Sequence, residues 1–237
     1  MKEPILITGA ARSGTSMVAG IIDLCGAFGG YTSPPNRNNA KGMFENIYVK
    51  TAIIKPYLRS IGMDPKCQYP LPDVNDTPLP INFREAIEIN MIGEGYDGDG
   101  QWYYKDAKLC LMWKLWNKAF PDAKVVIVRR NTEDIVASCM RTGFMSAFNS
   151  SINQRKVGTT SKEAAWRWWV DQHLKRFDEM LSSSKMNVRV IYPERFLLGD
   201  YSEMYEVLNW LGLEWNPEVV NFIEPKLWKA KKKKGLI

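Results

Sequence analysis

The sequence predicts an α/β fold of three layers, a central parallel sheet with helices on both faces. Three observations lead there. Short β-branched or aromatic runs alternate with amphipathic helical stretches, the pattern of strand–helix–strand units. The first apolar run passes directly into a glycine-bearing turn and then a helix. The chain has 237 residues, 45% of them apolar and 24% charged, enough for the core of one medium domain.

Each element follows from its own residues. Pro-Ile-Leu-Ile-Thr at 4–8 reads as a buried strand and residues 14–25 as the helix after it. Gly, Pro and Asn make 26–45 a loop, 46–61 has a helical pattern, and prolines punctuate a loop over 62–80. A helix at 82–93 precedes the glycine-rich turn 93–100, and Trp102 to Lys105 is a short strand. A helix at 109–119 leads to the β-branched strand Lys124–Val128. A helix over 131–143, a polar loop around 149–160 and a long amphipathic helix over 162–182 come next. A strand at 188–192 and a helix at 202–211 follow, with Gly212 placed as a C-cap.

Composition removes several classes of function. No apolar run reaches the length of a membrane-spanning helix, and Ile5-Leu6-Ile7 is too short for a signal peptide. Cys25, Cys67, Cys110 and Cys139 are scattered without paired spacing, which argues against a disulfide framework or a zinc site and for a cytoplasmic, reducing compartment. Six of the 32 basic residues lie from Lys226 onward with no acid after them, so the remainder balances 26 basic against 26 acidic groups. A neutral body carries no broad duplex nucleic-acid face. We expect a single domain over 1–225 and a basic tail over 226–237. Oligomeric state is not written in the sequence.

The segment Gly9-Ala10-Ala11-Arg12-Ser13-Gly14-Thr15-Ser16 joins the first strand to its helix. Glycines let backbone N–H groups curl around an anion, and a helix N-terminus adds a positive dipole. This is the outline of a phosphate loop, and the fold expected is P-loop-like. The lysine of a nucleotide-hydrolysing loop is replaced by Thr15, however, and a cation stands inside the loop at Arg12. The cradle is kept without the group that grips the outer phosphates, which speaks against a Mg-ATP enzyme.

A second strand-to-helix junction reads Val128-Arg129-Arg130-Asn131…Asp134…Ser138. An arginine fork and a hydroxyl at the mouth of the sheet suit a phosphate dianion. The plainer reading pairs Arg130 with Asp134 or Glu133 and leaves Ser138 facing solvent.

Together the two junctions resemble the sulfotransferases that use 3′-phosphoadenosine 5′-phosphosulfate. Gly42-Met-Phe-Glu-Asn46, Lys105-Asp-Ala-Lys108, Val190-Ile-Tyr192 and Asn209-Trp-Leu-Gly-Leu213 agree in order over residues 4–213. The family's usual Arg-Asn-Pro becomes Arg130-Asn131-Thr132. The resemblance implies that Ala11, Arg12, Ser13, Gly14, Thr15 and Ser16 bind the 5′-phosphosulfate. It implies likewise that Arg130 and Ser138 bind the 3′-phosphate, that Tyr192 stacks on the adenine, and that no metal is needed.

Sulfuryl transfer is an in-line displacement, so alignment and neutralisation of the leaving group dominate. Lys105, at a strand end, is the candidate cation with Arg12 assisting; the plainer reading pairs Lys105 with Asp106. For the base, resemblance to the glutamate-using members points to Glu45, whose alternative role is to favour the helix start near Asn46. Asp106 is the reserve. His173, the lone histidine, lies among aromatic residues of its helix and reads as packing or surface. The tail Lys231–Gly235 could fold over the 3′-phosphate or stay solvated.

Three readings follow: a metal-independent sulfotransferase acting on a small-molecule or glycan hydroxyl or amine, a P-loop-like nucleotide kinase or phosphotransferase, and a non-catalytic nucleotide-binding module. The absent lysine counts against the second. The 26–45, 62–80 and 144–160 loops are the candidate walls of an acceptor site.

Overall fold

The computed structural model describes residues 1–37 and 39–228. Four strands form one parallel sheet in the order β2-β1-β3-β4, with β1 Ile5–Thr8, β2 Tyr103–Lys105, β3 Lys124–Val128 and β4 Asn187–Ile191. Ile7 lies opposite Lys105 on one side and Val126 on the other, and Val128 lies opposite Ile191. The carboxyl ends of all four strands therefore meet one edge. The chain leaves β1 for β2 on one side and returns to β3 on the other, a reversal of strand order that opens a crevice at that edge.

Alternation along β1 sorts the core. Leu6 joins Tyr104, Val125, Ile127, Trp116 and Phe177 on one face of the sheet. Ile5 and Ile7 join Tyr103, Val126 and Val128 on the other, against α1 (Thr15–Leu24) and α8 (Ser202–Leu211). α5 (Thr132–Arg141) and α7 (Lys162–Ser182) pack through Ile135, Val136, Trp166 and Trp169 into a third cluster. Side chains of successive strand residues point to opposite faces, so two layers of helices are required to bury them.

Most expected elements recur within a residue or two, among them α3 (Phe83–Gly93) and α4 (Trp113–Ala119). The stretch before α4, Leu109–Met112, is a 3-10 turn. Gly212 ends α8 in the left-handed conformation at φ 77°, where the absence of a Cβ removes the penalty. Asn131 caps α5, its side chain accepting from the N–H groups of Glu133 and Asp134.

Three differences stand out. The polar loop expected around 149–160 contains α6 (Ser151–Lys156), whose start is capped by Ser150 accepting from Asn153 N–H. α6 buries none of its residues, so no apolar stripe announced it. The expected helix 46–61 is π-wound over Val49–Ile54 before α2 (Lys55–Ser60). Pro56 lacks the N–H that Ala52 would accept in a regular helix, a cause of such widened turns. A short helix that the sequence did not suggest, α9 (Val219–Phe222), packs on α1.

The four cysteines are free, three of them buried. No helix among the described residues is long and apolar enough to cross a membrane.

Candidate active site

The glycine loop lies at the carboxyl end of β1. Gly9 must lack a side chain, because a Cβ there would lie 2.5 Å from the carbonyl oxygen of Val128. Arg12 and Gly14 both take left-handed backbone, at φ 77° and 97°, and these two reversals curl the segment before α1 begins. For arginine that conformation costs about 1–3 kcal/mol and persists only where its surroundings hold it. What holds it is long range: Arg12 Nε donates to Ser138 Oγ at 3.0 Å, and Arg130 Nη1 donates to the Arg12 carbonyl at 3.0 Å. The first N–H groups of α1 open into the loop without intrahelical partners. Ser13 is buried, and its hydroxyl finds no hydrogen-bond partner among the described residues.

Lys105 ends β2 with only 2% of its surface exposed. Its ammonium donates to Ser16 Oγ at 3.2 Å, to the Met43 carbonyl at 3.0 Å and to Glu45 Oε1 at 3.1 Å. The other Glu45 oxygen pairs with Lys50 at 3.2 Å. Burial pushes the Glu45 carboxyl upward, but Lys105, Lys108 and Lys50 outweigh it and hold the group at about 2. Glu45 does not cap the following helix; Asn46 does, accepting from Val49 N–H at 3.0 Å.

The plainer reading, Lys105 paired with Asp106, gives way to a different pairing. Asp106 accepts from Tyr104 Oη at 2.9 Å and from the Lys108 backbone and ammonium at 2.9 and 2.7 Å. These bonds fasten the turn after β2. With Asp106 taken up in this way just past β2, Lys105 and Asp106 find separate partners.

Beyond β3, Arg130 is 3.9 Å from Asp134, a marginal ion pair, and its guanidinium lies 4.0 Å from the centre of the Trp228 ring. Ser138 does not face solvent; it is buried and bonded to Arg12. The two sequence motifs are thus one cluster.

A cavity of about 670 Å³ runs along this edge. Ala11, Arg12, Gly14, Thr15, Ser16, Glu45, Lys105, Asp106, Arg130 and Ser138 all line it, while Ser13 is buried within the loop and does not. Tyr192 is not brought there: it falls just past β4 with 44% of its surface exposed, outside the cavity lining. Sequence reasoning missed Trp228, which lines the cavity beside Arg130 and Gly14, and also Lys50 and Lys108. An aromatic residue directly ahead of the basic run was the one available sign of Trp228. The Lys231–Gly235 segment lies outside the described residues.

His173 also lines the cavity while fully buried. Its Nδ1–H donates to the Trp169 carbonyl at 2.8 Å, which leaves Nε2 as a bare acceptor with no partner among the described residues. Burial lowers its pKa to about 4. A folded-state value below the unfolded one means the unfolded chain binds the extra proton first. The stabilisation is complete above about 6.5 and is lost as pH falls toward 4. Wild type should lose about 3 kcal/mol relative to His173→Gln over that window. Urea unfolding of both proteins at several pH values reads this directly, and parallel curves would remove the buried neutral imidazole from the account.

The fold is an α/β protein with a four-stranded parallel sheet whose carboxyl edge gathers a glycine loop, a buried lysine and two arginines around one cavity. The family model described as "Sulfotransferase family" matches residues 4–217, and the chain belongs to that family. It is therefore a transferase of sulfuryl groups by class. No curated protein matches the chain.

Solved structures share the fold. The sulfotransferase from Alicyclobacillus acidocaldarius is 16% identical, with 96% of this chain and 89% of that one aligned at a TM-score of 0.54. The sulfotransferase domain from the Synechococcus PCC 7002 olefin synthase is 11% identical, covering 98% and 82% at 0.55. That from the curacin biosynthetic pathway is also 11% identical, covering 98% and 81% at 0.54.

Proposed function

We propose that the protein transfers a sulfuryl group from 3′-phosphoadenosine 5′-phosphosulfate to a hydroxyl or amine of a small-molecule or glycan acceptor, without a metal. The observation that carries this is convergence. The loop after β1, Lys105 at the end of β2, and Arg130 with Ser138 beyond β3 all line one cavity. The residues present suit such a donor: Arg12, Lys105 and Arg130 line the cavity together with the Ser16 and Ser138 hydroxyls, a donor set for anionic oxygens. When bound, the nucleotide supplies an activated sulfuryl group with a phosphate as its leaving group.

The chain's own residues then have separate tasks. N–H groups of the 11–16 loop hold the 5′ end, with Arg12 adjacent. Arg130 and Ser138 hold the 3′-phosphate, and Tyr192 or Trp228, the latter beside Arg130, offers an aromatic face to the adenine. Lys105 stabilises charge that develops on the leaving oxygen as the acceptor's bond to sulfur forms.

Glu45 takes the acceptor's proton. Its low pKa makes it a weak base while three lysines face it. An anion in the cavity that engages Lys105 weakens that counter-charge, so the carboxyl rises toward its ordinary range as the site fills. An amine or phenol would ask less of it. Free thiols without disulfides fit a cytoplasmic setting, and the described residues fit a single domain extending to about 225.

Calorimetry with adenosine 3′,5′-bisphosphate in metal-free buffer, against Mg-ATP, tests the donor. Tight metal-free binding of the bisphosphate and weak binding of Mg-ATP are expected. The opposite preference would replace this reading with a phosphotransferase.

A further inference from the structure

We infer that the acceptor is itself anionic, with a phosphate ester as the group whose charge fits best, and that Lys55 and Lys66 recognise it. The inference rests on the sulfotransferase reading above and names the substrate class for that same site.

Lys50, Lys55, Lys66 and Lys108 all line the cavity. The carboxylates facing them are already engaged. Glu45 bridges Lys105 and Lys50, and Asp106 is bonded by Lys108 and Tyr104. Lys55 and Lys66 form no ion pair among the described residues. The donor does not account for them, because its anionic groups fall to the loop, Arg12, Lys105 and Arg130.

A second observation is independent of the charge inventory. Lys50 and Lys55 share one face only because the helix is π-wound there, with the Lys55 N–H donating to the Lys50 carbonyl five residues back. In a regular α-helix, residues five apart point about 140° away from each other at 3.6 residues per turn. Widened turns of this kind cluster at functional sites. Here the turn aims two ammonium groups at one cavity, at a cost of mutual repulsion. Burial and then the charges of Lys108 and Lys50 lower the Lys55 pKa accordingly. A phosphate ester, carrying about −1.5 to −2 charges at pH 7, relieves that repulsion better than a carboxylate does.

The probe is ³²P-labelled inorganic phosphate, in equilibrium dialysis against protein saturated with unlabelled adenosine 3′,5′-bisphosphate at fixed chloride. Wild type should retain about one phosphate per chain, and the Lys55→Gln/Lys66→Gln double variant should bind it at least about tenfold more weakly. Bisphosphate affinity, measured in parallel, should be unchanged, which also shows that the variant is folded. Phosphate retention equal in both proteins, or absent from bisphosphate-loaded wild type, overturns the inference and leaves the sulfotransferase reading intact. Failure of the bisphosphate itself to bind overturns that reading, and this inference with it.

Discussion

Lys105→Met should lower the rate of sulfuryl transfer by about 10²–10³-fold while adenosine 3′,5′-bisphosphate still binds nearly as well. Methionine keeps the volume of the lysine stem in a nearly closed space, so the loss isolates the charge. The ammonium contacts three groups of the protein, Ser16, Met43 and Glu45, all at the cavity wall. A cation aimed at charge that develops on the leaving oxygen assists the transition state more than the bound ground state, so kcat falls and KM changes little. Removing Lys105 also strips Glu45 of the first of its lysine partners, leaving Lys50 and Lys108. The Glu45 carboxyl then titrates nearer its ordinary value, and the acidic limb of the residual pH–rate profile should shift upward. An unchanged rate would take Lys105 out of the chemistry and make its pairing with Glu45 purely structural.

The second large effect is expected at the other anion site. Arg130→Ala should weaken binding of adenosine 3′,5′-bisphosphate by about 10- to 100-fold, the range of charge-assisted hydrogen bonds to a phosphate. Adenosine 5′-monophosphate, which has no 3′-phosphate, should bind wild type and variant alike. That comparison matters because Arg130 also supports the loop through the Arg12 carbonyl and lies against Trp228. A variant that merely collapsed the loop would lose both ligands equally. Equal loss would move the 3′-phosphate away from β3 and assign Arg130 to loop support alone.

Both predictions concern residues that the sequence singled out, but the sequence did not show how they work together. The loop after β1 was legible because its logic is contiguous: strand, two glycines, helix. Arg130 and Lys105 were legible as cations at strand ends, and strand ends of a parallel sheet share one edge. Their partners were not legible. Lys105 meets Glu45 across 60 residues, and Arg12 meets Ser138 across 126. Neither pairing has a sequence signature. The plainer alternative, a Lys105–Asp106 pair, does not form, because Asp106 just past β2 is taken up by Tyr104 and Lys108. Tyr192 lies one residue past β4, which ends at Ile191, and is half-exposed outside the cavity lining.

Local rules therefore determined the α/β architecture, the anion loop, the free thiols and the resemblance to sulfotransferases. These depend on periodicity, turn chemistry and short spacing, which act within a dozen residues. Tertiary structure alone decided which carboxylate faces Lys105, which hydroxyl steadies Arg12, that Trp228 reaches Arg130, and that a π-wound turn aims Lys50 and Lys55 together. The side-chain meetings depend on through-space contacts that leave no record along the chain until the sheet closes, whereas the π-wound turn also has a local cause in the missing N–H at Pro56.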